Sequence, residues 1–116
     1  MIRPLEERRS FETNGGTVSL ALREILWAEG VGAETLLHLT DRTLRCKTPF
    51  ESLRPRLGDS FMFCLTRGVV NELHIRRFLE AALLLDNGEK LEVSPFLLPQ
   101  FHEKYCRDMA RLVWED

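Results

Sequence analysis

The stretch ALLLDNGEKLEV, residues 82–93, decides the fold class because it has the pattern of two short strands joined by a tight turn. Asn87 and Gly88 favour the positive φ angles that a two-residue hairpin turn requires. Counting outward from that turn pairs Leu84 with Leu91 on the apolar face of the hairpin. The sequence therefore predicts antiparallel strands at this point.

A second hairpin is predicted around a turn at Asp41-Arg42, where apolar and polar residues alternate on both sides. The turn pairs Leu39 with Leu44, and the alternation separates apolar from polar side chains. The apolar face carries Leu37, Leu39, Leu44 and Cys46, and the basic outer face carries His38, Arg45 and Lys47. We therefore expect this hairpin to be half buried.

Further short strands separated by turn signals indicate a mostly β, antiparallel domain. They are predicted at Val18–Leu22, Ile25–Glu29, Thr35–Thr40, Phe61–Leu65 and Ile75–Glu80. Thr48 and Pro49 predict the start of a short helix, which Pro55 ends or bends. Ser94 and Pro95 predict the start of a terminal amphipathic helix. The apolar face of that helix carries Leu97, Leu98, Phe101, Tyr105, Met109 and Leu112.

Length and composition fit one folded domain of 116 residues, 44% of them hydrophobic and 29% charged. Residues 1–16 are polar and end in Asn-Gly-Gly, so we expect a lead or linker there and the domain at residues 17–116. The chain has neither an apolar run near the roughly 20 residues that cross a bilayer nor a secretory leader, which predicts a cytoplasmic protein without membrane contact. Cys46, Cys64 and Cys106 form no CxxC pair and are expected to be buried free thiols.

The charge distribution places one basic segment in a slightly acidic chain. A net charge of −2 is unusual for a protein that coats nucleic acid nonspecifically. Between Arg42 and Arg56, however, five cations accompany one anion, Glu51, for a local charge of +4. Such a patch is either a solvated face or part of a binding surface.

The sequence contains no nucleophile elbow, phosphate-binding glycine loop or zinc-protease helix. His38, His74 and His102 are far apart, so neither a metal site nor a cofactor is expected. Cys64 lies in an apolar strand with nothing nearby to stabilise a thiolate. Glu29 ends an apolar strand, where a carboxylate more often neutralises its neighbours than acts as a general base. We therefore expect a protein that is not an enzyme.

The order and spacing of five segments resemble the LytTR family of DNA-binding domains. The segments are EILWAEG (24–30), SL (52–53), GVVNELHI (68–75), LLLDNGEKLEVS (83–94) and the aromatic helix that follows, and the likeness runs from about residue 17 to residue 107. The resemblance implies an elongated stack of small antiparallel sheets with a short helix and a C-terminal helix. It also implies a cytoplasmic bacterial transcription regulator, such as the output domain of a response regulator, that binds double-stranded promoter DNA through loops.

Members of that family contact DNA from the loop after the strand matching ILWAE, from residues ahead of Val-Val-Asn and from basic residues after Val-Ser. Here the first loop, GVGAE, contains Glu34, while Phe63, Leu65 and Pro95-Phe96 stand where the family often has polar or basic residues. The candidate DNA-binding residues are therefore Arg42, Arg45, Lys47, Thr66 and Arg67.

Two functions remain open on the sequence alone. One is a sequence-specific DNA-binding regulator that acts alone or with a dimer partner, either itself or another regulator. The other is a degenerate domain that keeps the fold and works through protein contacts with another regulator. The loss of two or three cations at the family's DNA-contact positions would favour the second function, because phosphate contacts supply most nonspecific affinity for DNA.

The segment TRGVVN, which begins at Thr66, divides into a structural half and an exposed half. Val69 and Val70 are expected in the core, and Asn71 is expected in a turn where its side chain bonds nearby backbone. Thr66 and Arg67 lie just outside the apolar pair and are left to reach a partner.

Overall fold

The computed structural model describes residues 7–114, with side chains for residues 7–110. Within this range ten strands form two antiparallel sheets. The strands are β1 Arg8–Thr13, β2 Gly16–Ala21, β3 Ile25–Val31, β4 Glu34–Leu39, β5 Thr43–Cys46, β6 Phe61–Leu65, β7 Gly68–Asn71, β8 Ile75–Phe78, β9 Ala82–Leu85 and β10 Lys90–Glu92. The larger sheet has the order β2-β1-β5-β4-β3-β7-β6, and the smaller has the order β10-β9-β8. The predicted mostly β, antiparallel architecture is confirmed.

Two α-helices accompany the sheets. They are α1 Phe50–Leu53 and α2 Leu98–Trp114, and short 3-10 turns occupy Leu22–Glu24, Arg54–Arg56 and Glu72–His74. Over residues 7–114, no helix is both long enough and apolar enough to cross a membrane.

The larger sheet carries an apolar core on each face. On one face, Phe50 and Leu53 of α1 pack in a cluster that includes Val69. On the other face, Val70 packs in a cluster with the smaller sheet and with Phe101 of α2. Val69 and Val70 serve opposite cores because successive side chains of a strand point to opposite faces.

The expected polar lead is wrong for part of its length, because Arg8–Thr13 form a strand. This strand pairs along its whole length with β2, and Phe11 is only 1% exposed. Only Phe11 and Thr13 of the strand are buried, while charged and polar side chains alternate with them. The segment therefore looks polar in sequence although it adds a strand to the sheet. The expectation for residues 1–6 lies outside the described residues.

The hairpin around Gly88 is present, but its predicted register is wrong by one residue. Leu83, not Leu84, lies next to Leu91, and the backbone N–H of Gly88 donates to the carbonyl of Leu85. Gly88 has φ +88°, as in hairpin loops of three residues that end in a glycine bulge. A shift of one residue exchanges the faces of a strand, so Leu83 and Leu85 are buried.

The register predicted for the hairpin between β4 and β5 is wrong by two residues. Leu37 lies opposite Leu44, and the backbone N–H of Leu39 donates to the carbonyl of Arg42. A shift of two residues keeps each side chain on its face. The predicted apolar face is therefore buried, with Leu37 and Cys46 at 0% exposed.

Both helices differ from prediction at their N-termini. α1 follows Pro49, and within the described residues no side chain caps it, so the expected cap by Thr48 is wrong. α2 begins only after Leu97, because Ser94 opens a separate turn in which its carbonyl accepts the N–H of Leu97. The predicted apolar position Leu112 lies outside the described side chains.

Asn71 fastens β7 to β3, as part of a turn that the sequence predicts. Its Nδ2 donates to the carbonyl of Ile25 at 3.1 Å, and its Oδ1 accepts from the N–H of Leu73 at 3.2 Å. Val69, Val70 and Asn71 are all 0% exposed. The structural interpretation of this half of TRGVVN is therefore confirmed.

The cysteines divide by position. Cys46 and Cys64 are buried, as expected, whereas Cys106 is exposed on α2 and contradicts the expectation. Burial raises the pKa of the Cys64 thiol to about 12. Cys64 therefore stays protonated at neutral pH and serves as a core residue.

Candidate nucleic-acid interface

A tight turn joins β3 to β4 at Gly32-Ala33, with Val31 paired to Glu34 on either side. Gly32 has φ +61°, and no residue other than glycine has a positive φ in the described chain. Glycine at the first central position of a two-residue hairpin turn matches the right-handed twist of the flanking strands. The GVGAE loop of the sequence is thus a short, fixed turn at one end of the larger sheet.

Arg67 braces this turn. The backbone N–H of Gly30 donates to the carbonyl of Arg67 at 2.8 Å, and Nη2 of Arg67 donates to the carbonyl of Gly32 at 2.9 Å. Nε of Arg67 also donates to Oε2 of Glu51, in α1, at 2.8 Å. The hydrogen bond from the Arg67 side chain holds the pKa of the Glu51 carboxyl below its usual value. The turn between β6 and β7 is therefore tied to the turn between β3 and β4.

Arg45 and Lys47 reach the same end of the sheet from β5. Nη1 of Arg45 donates to Oε1 of Glu34 at 2.7 Å. Lys47 lies two residues further along, is exposed, and has no ion pair among the described side chains. Successive side chains of a strand point to opposite faces. Because Cys46 packs in the core cluster with α1, Arg45 lies on the opposite face of the sheet, and Lys47 follows the last residue of β5 at this end of the sheet.

A third segment joins this end through β6. The backbone N–H of Ser94 donates to the carbonyl of Cys64 at 2.8 Å, two residues before Thr66. Pro95 and Phe96 follow Ser94, and both are exposed. We define the loop edge as the β3–β4 turn, the β6–β7 turn and residues 94–96, together with Arg45, Lys47 and Phe63 beside them and Arg54, which stacks on Phe63.

The structure brings four of the five candidate residues to the loop edge. Arg45, Lys47, Thr66 and Arg67 lie there, whereas Arg42 lies at the opposite end of the β4–β5 hairpin. Five residues of extended chain separate Arg42 from Lys47, which is a distance of about 16 Å. Arg42 therefore does not lie at the loop edge.

Two further side chains belong to the loop edge although the five candidates omit them. The guanidinium of Arg54 lies 5.1 Å from the ring centroid of Phe63, and Phe63 is 40% exposed. The basic segment of the sequence includes Arg54, but its stacking on Phe63 depends on how α1 packs against β6, which local pattern does not reveal.

Glu29 has a structural partner rather than an evident catalytic one. Nε2 of His38 lies 2.7 Å from Oε2 of Glu29, and the imidazole stacks on Trp27 with ring centroids 4.0 Å apart. Nδ1 of His38 lies 3.2 Å from the hydroxyl of Thr43. The polar groups of this cluster satisfy one another, as the sequence predicts for Glu29.

Comparison with known proteins assigns the family. A family model described as the LytTr DNA-binding domain matches residues 15–105. A solved LytTr DNA-binding domain, from a Bacillus cereus protein described as a methyl-accepting/DNA response regulator, has the same fold with a TM-score of 0.69 and 22% identity over 83% of this chain and 94% of that chain. No curated protein matches the chain. Because the family model covers most of the sequence, the chain belongs to the LytTR family of DNA-binding domains.

Proposed function

We propose that this domain binds double-stranded promoter DNA sequence-specifically through the loop edge and thereby regulates transcription. The observation that carries the proposal is the joining of three separate segments into one edge by two backbone hydrogen bonds. Gly30 bonds Arg67, and Ser94 bonds Cys64. Loops fixed in this way can read base edges without a recognition helix.

The loop edge carries cations that can bind a polyanion such as DNA, but two of them are already paired with carboxylates. Arg45 and Arg67 are each paired with a carboxylate, on Glu34 and Glu51. Exposed ion pairs are weak, so DNA phosphates can compete for both arginines at moderate salt. Lys47 has no ion pair among the described side chains, so its charge can meet a phosphate without such an exchange. We therefore expect modest nonspecific affinity, with sequence-specific contacts contributing much of the discrimination.

The protein-contact alternative gains no support from the comparisons, which name a DNA-binding domain. The proposal accordingly describes a cytoplasmic bacterial regulator without enzymatic activity. It places a dimer partner, either a second copy or another regulator, on adjacent DNA repeats.

The test is selection of a binding site followed by measurement of affinity. The chain is incubated with a random duplex library, bound duplexes are recovered through several rounds, and the enriched sequence is labelled for fluorescence anisotropy. The proposal expects one enriched motif and a dissociation constant at least about 1,000-fold lower for it than for scrambled duplex at the same salt. Equal affinity for both duplexes, or no binding at low salt, would contradict it.

A further inference from the structure

Glu72 carries a buried carboxyl group that takes no part in the loop edge. It lies in the 3-10 turn between β7 and β8, and only 6% of its surface is exposed. Its Oε2 has no hydrogen-bond partner among the described residues. A buried polar atom without a partner costs free energy, so its presence in the fold requires a physical reason.

A second carboxyl group, that of Asp108 on α2, faces Glu72 and shares a hydrogen bond with it. Ionised carboxylates only accept hydrogen bonds, so one of the two groups must carry a proton for this bond to form. Burial, followed by the hydrogen bond with Asp108, raises the pKa of Glu72 to about 8, which makes Glu72 the protonated partner at neutral pH. Glu72 therefore donates to Asp108 while it is neutral and repels it when it is ionised.

Lys104 lies beside this pair but does not satisfy Glu72. Its charge favours the ionised form of Glu72, yet its Nζ donates to Oδ2 of Asp108 at 2.6 Å and to the carbonyl of Asp59 at 3.1 Å. Lys104 thus ties α2 to the turn before β6 and leaves Oε2 of Glu72 without a donor.

Two further titratable side chains lie near Glu72. Burial, followed by the charge of Glu72, raises the pKa of the Tyr105 hydroxyl on α2. His74, in the same turn as Glu72, instead faces Asp86 and the carbonyl of Arg23. An ionised Glu72 therefore meets one carboxylate and one lysine that is already paired.

The turn that carries Glu72 is fixed to the larger sheet, whereas α2 is held by few apolar contacts. The backbone N–H of Glu72 donates to the carbonyl of Ser60 at 2.9 Å, next to β6. Among the described side chains of α2, Phe101 is the buried apolar residue, and Leu98 and Tyr105 are partly buried. Because so little apolar surface holds α2, the helix should open at a lower free energy than the core strands.

We propose that Glu72 and Asp108 form a proton-operated latch, which holds α2 against the sheets while the two groups share a proton and loosens it as the pH rises. When α2 opens, water reaches the carboxyl of Glu72, and the proton leaves more readily than in the docked state. Docking of α2 therefore weakens as the pH rises towards 8 and levels off above it, where the docked carboxyl is ionised as well. The latch does not depend on DNA binding at the loop edge, so it is tested on the protein alone.

Hydrogen exchange of backbone amides, corrected for the intrinsic effect of pH on exchange, measures the opening of α2. In wild type the amides of α2 should be less protected than those of β3 at each pH, because the helix opens without the sheets. Their protection should fall by about 10- to 100-fold between about pH 6 and pH 8, since each opening releases one proton. In Glu72→Gln it should change by less than about twofold, because the amide donates to Asp108 without a titrating proton.

Two further variants accompany this measurement. Glu103→Gln removes an exposed carboxylate from the same helix and should follow wild type. Asp108→Asn removes the charge that faces Glu72 but keeps an oxygen that can accept from it. This variant should show a smaller fall in α2 protection than wild type, with part of the fall remaining because Glu72 is still buried.

Equal protection of α2 and β3 at each pH would show that the helix opens only with the whole domain, and would overturn the latch. The same pH dependence in wild type and Glu72→Gln would also overturn it. If Glu72→Gln fails to fold, Asp108→Asn decides the question, because an undiminished fall in that variant contradicts a proton shared between the two carboxyl groups.

Discussion

The guanidinium of Arg67 forks onto the carboxylate of Glu51, with Nε to Oε2 at 2.8 Å and Nη2 to Oε1 at 3.3 Å. The same Nη2 donates to the carbonyl of Gly32 in the β3–β4 turn. Arg67 is therefore both a brace of the loop edge and a cation on it, and replacing it removes both roles at once. A substitution of its partner Glu51 instead separates the two roles of Arg67.

Glu51→Gln should strengthen DNA binding about two- to threefold at low salt. The substitution removes an anion from the loop edge, while the amide oxygen of glutamine still accepts one hydrogen bond from Arg67. Fluorescence anisotropy on the selected site measures the change. Asp41→Asn, which removes an exposed anion from the turn at the far end of the β4–β5 hairpin, is the control and should have little effect. Equal gains for both variants would show that total charge matters, not the loop edge.

Gly30→Ala should destabilise the domain by about 1 to 3 kcal/mol. A Cβ at Gly30 would lie 2.8 Å from Cζ of Arg67 and 2.8 Å from Cβ of Phe50, so the brace must shift. Gly15→Ala is the matched control, because its nearest contact would be an ordinary 3.9 Å. Urea unfolding followed by circular dichroism gives both values, and equal stabilities would refute the close packing of Arg67 on Gly30.

Asn71→Ala should destabilise the domain by about 2 to 4 kcal/mol. The change leaves the buried carbonyl of Ile25 and the N–H of Leu73 without their side-chain partner. Asn71→Asp should be at least as harmful, because a carboxylate cannot donate to the Ile25 carbonyl and would be buried as a charge. Asn87→Ala, in an exposed hairpin turn, should cost less than about 1 kcal/mol in the same urea titration.

Because of the buried carboxyl group of Glu72, the domain should become less stable to unfolding as the pH rises. The side chain is 6% exposed, its Oε2 has no hydrogen-bond partner among the described residues, and it lies against Asp108 and Lys104 of α2. Burial, followed by the hydrogen bond with Asp108, raises the pKa of Glu72 to about 8 from an ordinary 4.5. The folded state then binds more protons than the unfolded state between these values, so unfolding becomes easier as the pH passes from about 4.5 to 8.

Glu72→Gln should remove this pH dependence, because the amide can still donate to Asp108 and carries no charge. At pH 8.5 the variant should exceed wild type in stability by roughly 1 to 3 kcal/mol, whereas near pH 4.5 the two should be similar. Thermal unfolding across this pH range is the measurement. Glu103→Gln, exposed on α2, should follow the wild-type curve. Parallel curves for wild type and Glu72→Gln would rule out a raised pKa at Glu72.

The sequence predicts where most strands lie and which of their faces are buried, because the alternation of apolar and polar residues and the turn residues are local signals. The β4–β5 hairpin shows the extent of this, since its apolar face was predicted although its register is shifted by two residues. The hairpin around Gly88 shows the failure, since a third loop residue shifts the register by one and exchanges buried for exposed leucines. Loop length at a turn depends on backbone angles that residue types only bias.

The β1 strand and the loop edge were harder to predict because they depend on distant pairing. β1 has one large apolar residue in the core, Phe11, and becomes a strand by pairing with β2 and β5. Similarly, Arg42 and Lys47 look equivalent in sequence, and only their places at opposite ends of β5 distinguish them. The bond of Arg67 to Gly32 joins residues far apart in the chain, and no local pattern signals it.

The central claim is that DNA lies against the loop edge, and the slope of log affinity against log salt concentration tests it most directly. We predict that Lys47→Ala reduces the magnitude of this slope by about 0.9 relative to wild type, as expected for one lost phosphate contact. Arg42→Ala, which removes the same charge about 16 Å away at the other end of β5, should leave the slope unchanged. A reduced slope for Arg42→Ala together with an unchanged slope for Lys47→Ala would contradict the claim.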